Sequence, residues 1–274
     1  MTSPIPATTR TVDLPGGLTV TIEERGSSSG GRGFLLLHGG AGPQTMAGLA
    51  SALTEHAYTV VPTHPGFQGT HRPEWFDSAA DLAVAYLDLI DLLGLSEVMV
   101  IGSSFGGWVA SEMALRDTRA RIGSLTLLNA VGIHAVRKEN AVADVRTLAP
   151  TEIAELSFAG PAFRPDFSSF SDEQRAQGAA NQRTLAVYGG EEFSYDPKLR
   201  GRLHRVGVPV LVVWGEQDGI ASTVYGRGYA KSFPNGHFVP VPAAGHFPHI
   251  EQLGLTLGAI GDFARTVVNA PAAA

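Results

Sequence analysis

Two serines stand together where an apolar run breaks, in "VMVIGSSFGGWVA" at residues 98–110. A serine hydroxyl becomes a nucleophile when a base takes its proton and nearby N–H groups hold the charge that its attack creates. The spacing G-x-S-x-G fits one frame, Gly102-Ser103-Ser104-Phe105-Gly106, and it centres on Ser104. Centring on Ser103 would need glycines where Ile101 and Phe105 stand. The spacing has a steric reason. A serine on a tight strand-to-helix turn has a strained backbone that thrusts its hydroxyl outward, and the residues two before and two after it come too close for side chains. Gly102 and Gly106 meet that demand, and Gly107 leaves further room. Ser103 is then a neighbour bordering the substrate pocket.

Of the nine histidines, His246 in "PAAGHFPHIEQ" is the strongest candidate for the base. It follows the last apolar strand, on a loop between Gly245 and Pro248, while its rival His249 falls in the first turn of a helix. His38 belongs to the "HGG" turn and is read as shaping that loop. An acid must fix the tautomer of the base. "VLVVWGEQDG" offers Glu216 and Asp218 at one strand end; Asp218, farther into the loop and before Gly219, is preferred. The strand before it ends in "LTLLNAVG" and supplies only Asn129. For an oxyanion hole, the backbone N–H of Phe105 is one donor, and the Gly40–Ala41 part of "HGGAGP" is positioned to give another.

These groups need a scaffold that brings them to one edge. Residues 10–25 alternate apolar and polar around Pro15-Gly16-Gly17, which predicts a hairpin. "GFLLL", "YTVVP", "EVMVI", "SLTLL", "VPVLVVWG" and "GHFVPV" are short apolar runs of the kind buried on both faces of a parallel sheet. Helical segments separate them: Met46–His56, residues 78–93 opened by a Ser78/Asp81 capping pair, the segment after Ser104, and a last helix from Pro248 to about Val268. The expected fold class is α/β, a mostly parallel sheet of about eight strands covered by helices on both faces. Right-handed crossovers put the C-terminal strand ends on one edge, where such sheets bind ligands. Residues 134–203 break the alternation, with helix starts at Thr151 and at a Ser171/Gln174 capping box. They predict a helical cap inserted into a core made of residues 1–133 and 204–274. The "APAAA" tail is expected to fray.

Composition removes other classes of function. The chain has 274 residues, 44% of them hydrophobic, and a formal charge of −6 with no basic run, which argues against nucleic acid as partner. With no cysteine, thiol nucleophiles and disulfides are excluded. No segment holds about 18 uninterrupted apolar residues, and "MTSPIPATTRTVDL" lacks the apolar core of a secretory signal. The expectation is a soluble cytoplasmic protein that needs neither metal nor organic cofactor and acts on a small molecule. Neither "GxxxxGK[ST]" nor "GxGxxG" follows a strand, so no nucleotide cradle is expected.

"HGGAGP" (38–43), "HPGFQGT" (64–70), "GSSFGG" (102–107), "WGEQD" (214–218) and "GHFPHIEQ" (245–252) together resemble the α/β-hydrolase superfamily, in its cap-bearing esterase and carbon–carbon hydrolase branch. The loops occur in that family's order, and nearly the whole chain is covered. The resemblance implies Ser104 as nucleophile, Asp218 as acid and His246 as base. Two positions depart from the pattern: Ser103, where many relatives carry histidine or asparagine, and Gln68, near which many carry glycine. The expected reaction is hydrolysis of an ester or related acyl bond through a covalent acyl-enzyme. Hydrolysis of a carbon–carbon bond in a dienoate is the alternative; it needs a cation for the substrate carboxylate, for which Arg164 and Arg183 are the candidates. A ligand receptor that retains the triad is a third reading.

Overall fold

The computed structural model describes residues 5–27 and 31–269, so the "APAAA" tail lies outside the described residues. The predicted hairpin is formed by β1 (Ala7–Leu14) and β2 (Leu18–Arg25), antiparallel with Leu14 opposite Leu18. Gly16 and Gly17 both take φ of 80° in its turn, a conformation open to glycine at little cost. The chain then alternates through β3 (Gly33–Leu37), α1 (Ala47–Leu53), β4 (Tyr58–Pro62), α2 (Ala79–Leu92), β5 (Val98–Ser103), α3 (Phe105–Arg116) and β6 (Ile122–Leu128). The Ser78/Asp81 capping box at the start of α2 is present in full.

Between β6 and the next long strand lie β7 (Gly132–Ile133), α4 (Pro150–Ser157), α5 (Asp172–Gly189), β8 (Tyr195–Asp196) and α6 (Leu199–Arg202). The start of α4 is one residue earlier than expected, because Pro150 suits the first helical position and Glu152 accepts from Ala149 N–H at 2.7 Å. Ser171 caps α5 as its pairing with Gln174 predicts. A parallel pairing of β7 with β8, not foreseen from the sequence, brings the two ends of this excursion together. Two-residue strands carry no periodic signal.

The chain closes with β9 (Val210–Gly215), α7 (Thr223–Ala230), β10 (Gly236–Val241), α8 (Pro248–Glu251) and α9 (Leu253–Asn269). The last helix is therefore two helices rather than one. At Gln252 the backbone turns to φ −135°, ψ 55°, breaking the helical run. The main sheet has eight strands in the order β1-β2-β4-β3-β5-β6-β9-β10, parallel from β4 onward.

The apolar runs are explained by two separate cores. Leu35, Leu37, Val98, Val100, Val210 and Val212 face one side of the sheet, packed with α2, α3 and α7. Their neighbours Leu36, Met99, Ile101, Leu211 and Val213 face the other, packed with α1 and α9. A strand covered on both faces has no polar alternation to display. Among the described residues, no helix is long and apolar enough to cross a membrane.

Candidate active site

Ser104 follows the last residue of β5 and precedes α3, with φ 53° and ψ −118°. A non-glycine residue in such a region costs about 1–3 kcal/mol and must be held there by its surroundings. The holding contacts are visible. Ser104 N–H donates to Leu128 O at 2.9 Å on the adjacent strand, and Val131 N–H donates to Ser104 O at 3.2 Å. A Cβ on Gly102 would collide with Gly106 O, and one on Gly106 with Leu37 O. The glycine spacing of the sequence is thus a packing requirement of this turn. Ser104 lines a cavity of about 1030 Å³ at the C-terminal edge of the sheet.

Asp218 and His246 come together there from two loops. His246 Nδ1–H donates to Asp218 Oδ2 at 2.9 Å. The Asp218 side chain is fully buried and its remaining acceptor capacity is used: Oδ1 takes Ile220 N–H at 2.8 Å and Ala221 N–H at 3.1 Å. Its Oδ2 also accepts from Asn129 Nδ2 at 2.7 Å. In a neutral ring with the proton on Nδ1, Nε2 carries the lone pair. His246 lines the same cavity as Ser104, and among the described residues no hydrogen bond joins their side chains. Glu216 is exposed and takes no part in this network.

The end of α4 holds both loops. His246 N–H donates to Ser157 O at 2.7 Å, and Gly219 N–H, next to Asp218, donates to Leu156 O at 2.9 Å. These are terminal carbonyls of a helix, groups without an intrahelical donor and at the negative end of its dipole. That polarity favours a positive charge on the imidazole they help to place.

Gly40, Ala41 and Phe105 also line the cavity. Phe105 is the first residue of α3, so its N–H has no intrahelical acceptor. The start of the Gly40–Ala41 loop, His38–Gly39, is fixed by two imidazoles, His38 and His64, whose ring centroids lie 3.8 Å apart with planes tilted by 31°. His38 Nδ1–H donates to Gly39 O at 2.7 Å, while its Nε2 accepts from His64 N–H at 3.0 Å. His64 Nε2–H donates to His38 O at 2.8 Å, and its Nδ1 accepts from Tyr86 OH at 2.5 Å. Burial pushes the His38 imidazole down to about 4 and His64 well below its ordinary value, the latter also through the neighbouring His38. The role of His38 as a loop former agrees with its reading from sequence. His249 is fully enclosed in α8, and burial, with His246 nearby, lowers it to about 3.

Other candidates fall elsewhere. Ser103 is fully buried, its Oγ has no partner, and it does not reach the cavity wall. Arg164 and Arg183 do not line the cavity either; Arg164 donates to Phe158 O at 3.3 Å. The arginine that does line it is Arg175, on α5, whose guanidinium is directed at Phe170 O at 2.8 and 3.1 Å. The walls are dominated by apolar side chains, among them Phe158, Phe167, Phe170, Leu185 and Phe193. Among the described residues, no group of three or more His, Asp or Glu side chains is clustered to hold a metal ion. The residues that sequence reasoning missed are Asn129, Ser157 and Glu251. In the sequence Asn129 marks only a strand end where an acid is missing.

A family model described as "Alpha/beta hydrolase family" matches residues 34–254. The dihydrolipoyllysine-residue acetyltransferase component of the acetoin cleaving system of Cupriavidus necator is 30% identical over 207 residues, covering 72% of this chain and 54% of that protein. The chain thus spans about half the length of that relative. A 2-hydroxymuconate semialdehyde hydrolase of Pseudomonas putida is 26% identical over 81% of this chain and 84% of its own. Among solved structures, an esterase from Exiguobacterium antarcticum superposes with a TM-score of 0.74 at 17% identity, covering 94% of this chain and 100% of that one. At that identity the likeness is one of fold.

Proposed function

Because the chain belongs to the alpha/beta hydrolase family, we propose that it is a serine hydrolase cleaving a carboxylic ester or related acyl bond of a small, largely apolar substrate. Ser104 is the nucleophile, His246 the base, and Asp218 the acid that holds the base. The observation that carries this reading is the buried Asp218–His246 hydrogen bond of 2.9 Å, opening onto the cavity that Ser104 also lines.

Ser104 Oγ attacks the carbonyl carbon as its proton passes to His246 Nε2. The N–H groups of Phe105 and of the Gly40–Ala41 loop take the charge on the carbonyl oxygen; one such donor is typically worth about 2.7–4 kcal/mol. The imidazolium, stabilised by Asp218, protonates the departing alcohol. Water, deprotonated by His246, then attacks the acyl-enzyme, and the acid leaves as Ser104 regains its proton. Residues 134–203 act as a cap: α4 and α5 from this segment contribute to the cavity wall and leave the chemistry beneath an aromatic roof.

The named activity of the Pseudomonas putida relative keeps carbon–carbon hydrolysis as the competing reading. It needs a cation aimed at a substrate carboxylate. Arg164 and Arg183 lie off the cavity wall, and Arg175 is engaged with Phe170 O, so the wall favours an uncharged ester.

A fluorophosphonate label with mass mapping, followed by a panel of aryl ester, lactone and dienoate substrates, tests the assignment. Ser104 is expected to carry the label, and Ser104→Ala is expected to lower ester turnover by more than about 10³-fold. Full activity in that variant overturns the reading. Turnover of the dienoate without ester hydrolysis selects the carbon–carbon reaction. A persistent adduct without turnover selects a receptor.

A further inference from the structure

Glu251 is buried in α8, 7% exposed, and among the described residues no lysine or arginine is paired with it. Its two carboxylate oxygens serve two different segments. Oε2 accepts from Gly245 N–H at 2.6 Å, on the residue before His246. Oε1 accepts from Gly160 N–H at 2.8 Å, just past the end of α4. The same segment beyond α4 receives His246 itself, through His246 N–H to Ser157 O at 2.7 Å. The contact leaves no freedom, since a Cβ on Gly245 would lie against Ser157 O and 2.9 Å from Ala159 N. The loop of the base, the end of α4 and the carboxylate therefore form one closed joint.

We infer that Glu251 is a positioning residue for the reaction proposed above: its carboxylate fixes the Gly245–His246 backbone against α4, and so sets the place of the imidazole relative to Ser104. This inference rests on that reading of His246. A charged acceptor shared by two buried N–H groups gives shorter and stronger hydrogen bonds than a neutral one. A carboxamide in its place has one oxygen for two donors, and its NH₂ must face the other N–H. One buried donor is left unpaired, and the joint loosens.

Glu251→Gln keeps the shape of the side chain and is the variant to measure; Glu251→Ala, which removes both acceptors, serves as the stronger lesion. Turnover on an aryl ester is counted per site titrated with a fluorophosphonate, so that misfolded protein does not enter. The expected result for Glu251→Gln is a fall in kcat of about tenfold with KM within about twofold. Hydrogen exchange of the Gly245 and His246 N–H groups is also followed by NMR in both proteins. Both are held in the joint, by Glu251 Oε2 and Ser157 O, and Glu251→Gln is expected to speed their exchange at least about threefold more than that of core N–H groups. A purely structural role would reduce the number of titrated sites and leave turnover per site where it was. Turnover per site or exchange unmoved overturns the inference. The exchange measurement needs no turnover, so it decides whether Glu251 holds the joint even if ester hydrolysis, and with it the proposed function, fails.

Discussion

Asp218 accepts four hydrogen bonds through two oxygens, from Ile220, Ala221, Asn129 and His246. All four donors require an acceptor at each position. An amide cannot satisfy them, because its NH₂ would oppose N–H groups on one side. For Asp218→Asn the imidazole loses the partner that fixes its tautomer, and kcat is expected to fall by about 10³–10⁴-fold with KM little changed. Glu216 is exposed and outside this network, so Glu216→Gln is expected to stay within about twofold of the parent. Equal losses from the two substitutions in steady-state kinetics would mean that the acid has been misassigned. At this scale the sequence was informative wherever a residue type was scarce at a strand end. Ser104, Asp218 and His246 stand out because a hydroxyl, an acid and an imidazole each end an apolar run. Asn129 does not, because its meaning depends on which strands are neighbours. It reaches across from β6 to a residue 89 positions away, and its Oδ1 also accepts Gly215 N–H at 3.1 Å.

Helix α5 is attached to the loop after β4 along a single face. Gln68 N–H donates to Asn181 Oδ1 at 3.0 Å, Thr184 Oγ1 to Gly66 O at 3.0 Å, and Tyr188 OH to Pro65 O at 2.8 Å. Leu185, on that same face, closes over the Gly40–Ala41 loop: a Cβ on Gly40 would lie 2.5 Å from Leu185 Cδ2. Gly40→Ala is therefore expected to turn the Leu185 side chain aside, costing about 0.5–1.5 kcal/mol of stability and some turnover. Leu185→Ala in the same chain makes room, so the double variant is expected to be more stable than the sum of the single losses. Strict additivity in chemical denaturation would show that the two do not meet. The elements themselves were legible, because capping boxes and apolar periodicity are local. How α5 seats was not, because Asn181, Thr184 and Tyr188 are ordinary helix residues until the loop they bind is known. The break at Gln252 was hidden for the opposite reason. Its immediate neighbours, Glu251 and Leu253, are good helix formers.

At the scale of the whole molecule, burial holds three imidazoles neutral among the described residues, those of His38, His64 and His249. Two of them support the loop proposed to bind the oxyanion, and the third sits one turn from His246. In the unfolded chain each takes up its proton near pH 6.5. In the folded chain His38 does so only near 4, His249 near 3, and His64 well below 6.5. Between those limits the unfolded state binds more protons than the folded one, so stability rises with pH and is lost as pH falls below about 6.5. Each histidine contributes up to about 1.4 kcal/mol per pH unit in that window. Carboxylates titrate lower, which leaves the interval from about pH 6.5 to 5 to the histidines. Urea denaturation at pH 7, 6 and 5 is expected to show a falling midpoint over that interval. His249→Phe, which removes one ionisable ring from α8, is expected to flatten the slope by about a third even if it lowers stability at pH 7. A midpoint constant from pH 7 to 5 would show that these rings are not held neutral. The support that His38 and His64 give their loop would then have to come from charged rather than neutral hydrogen bonding.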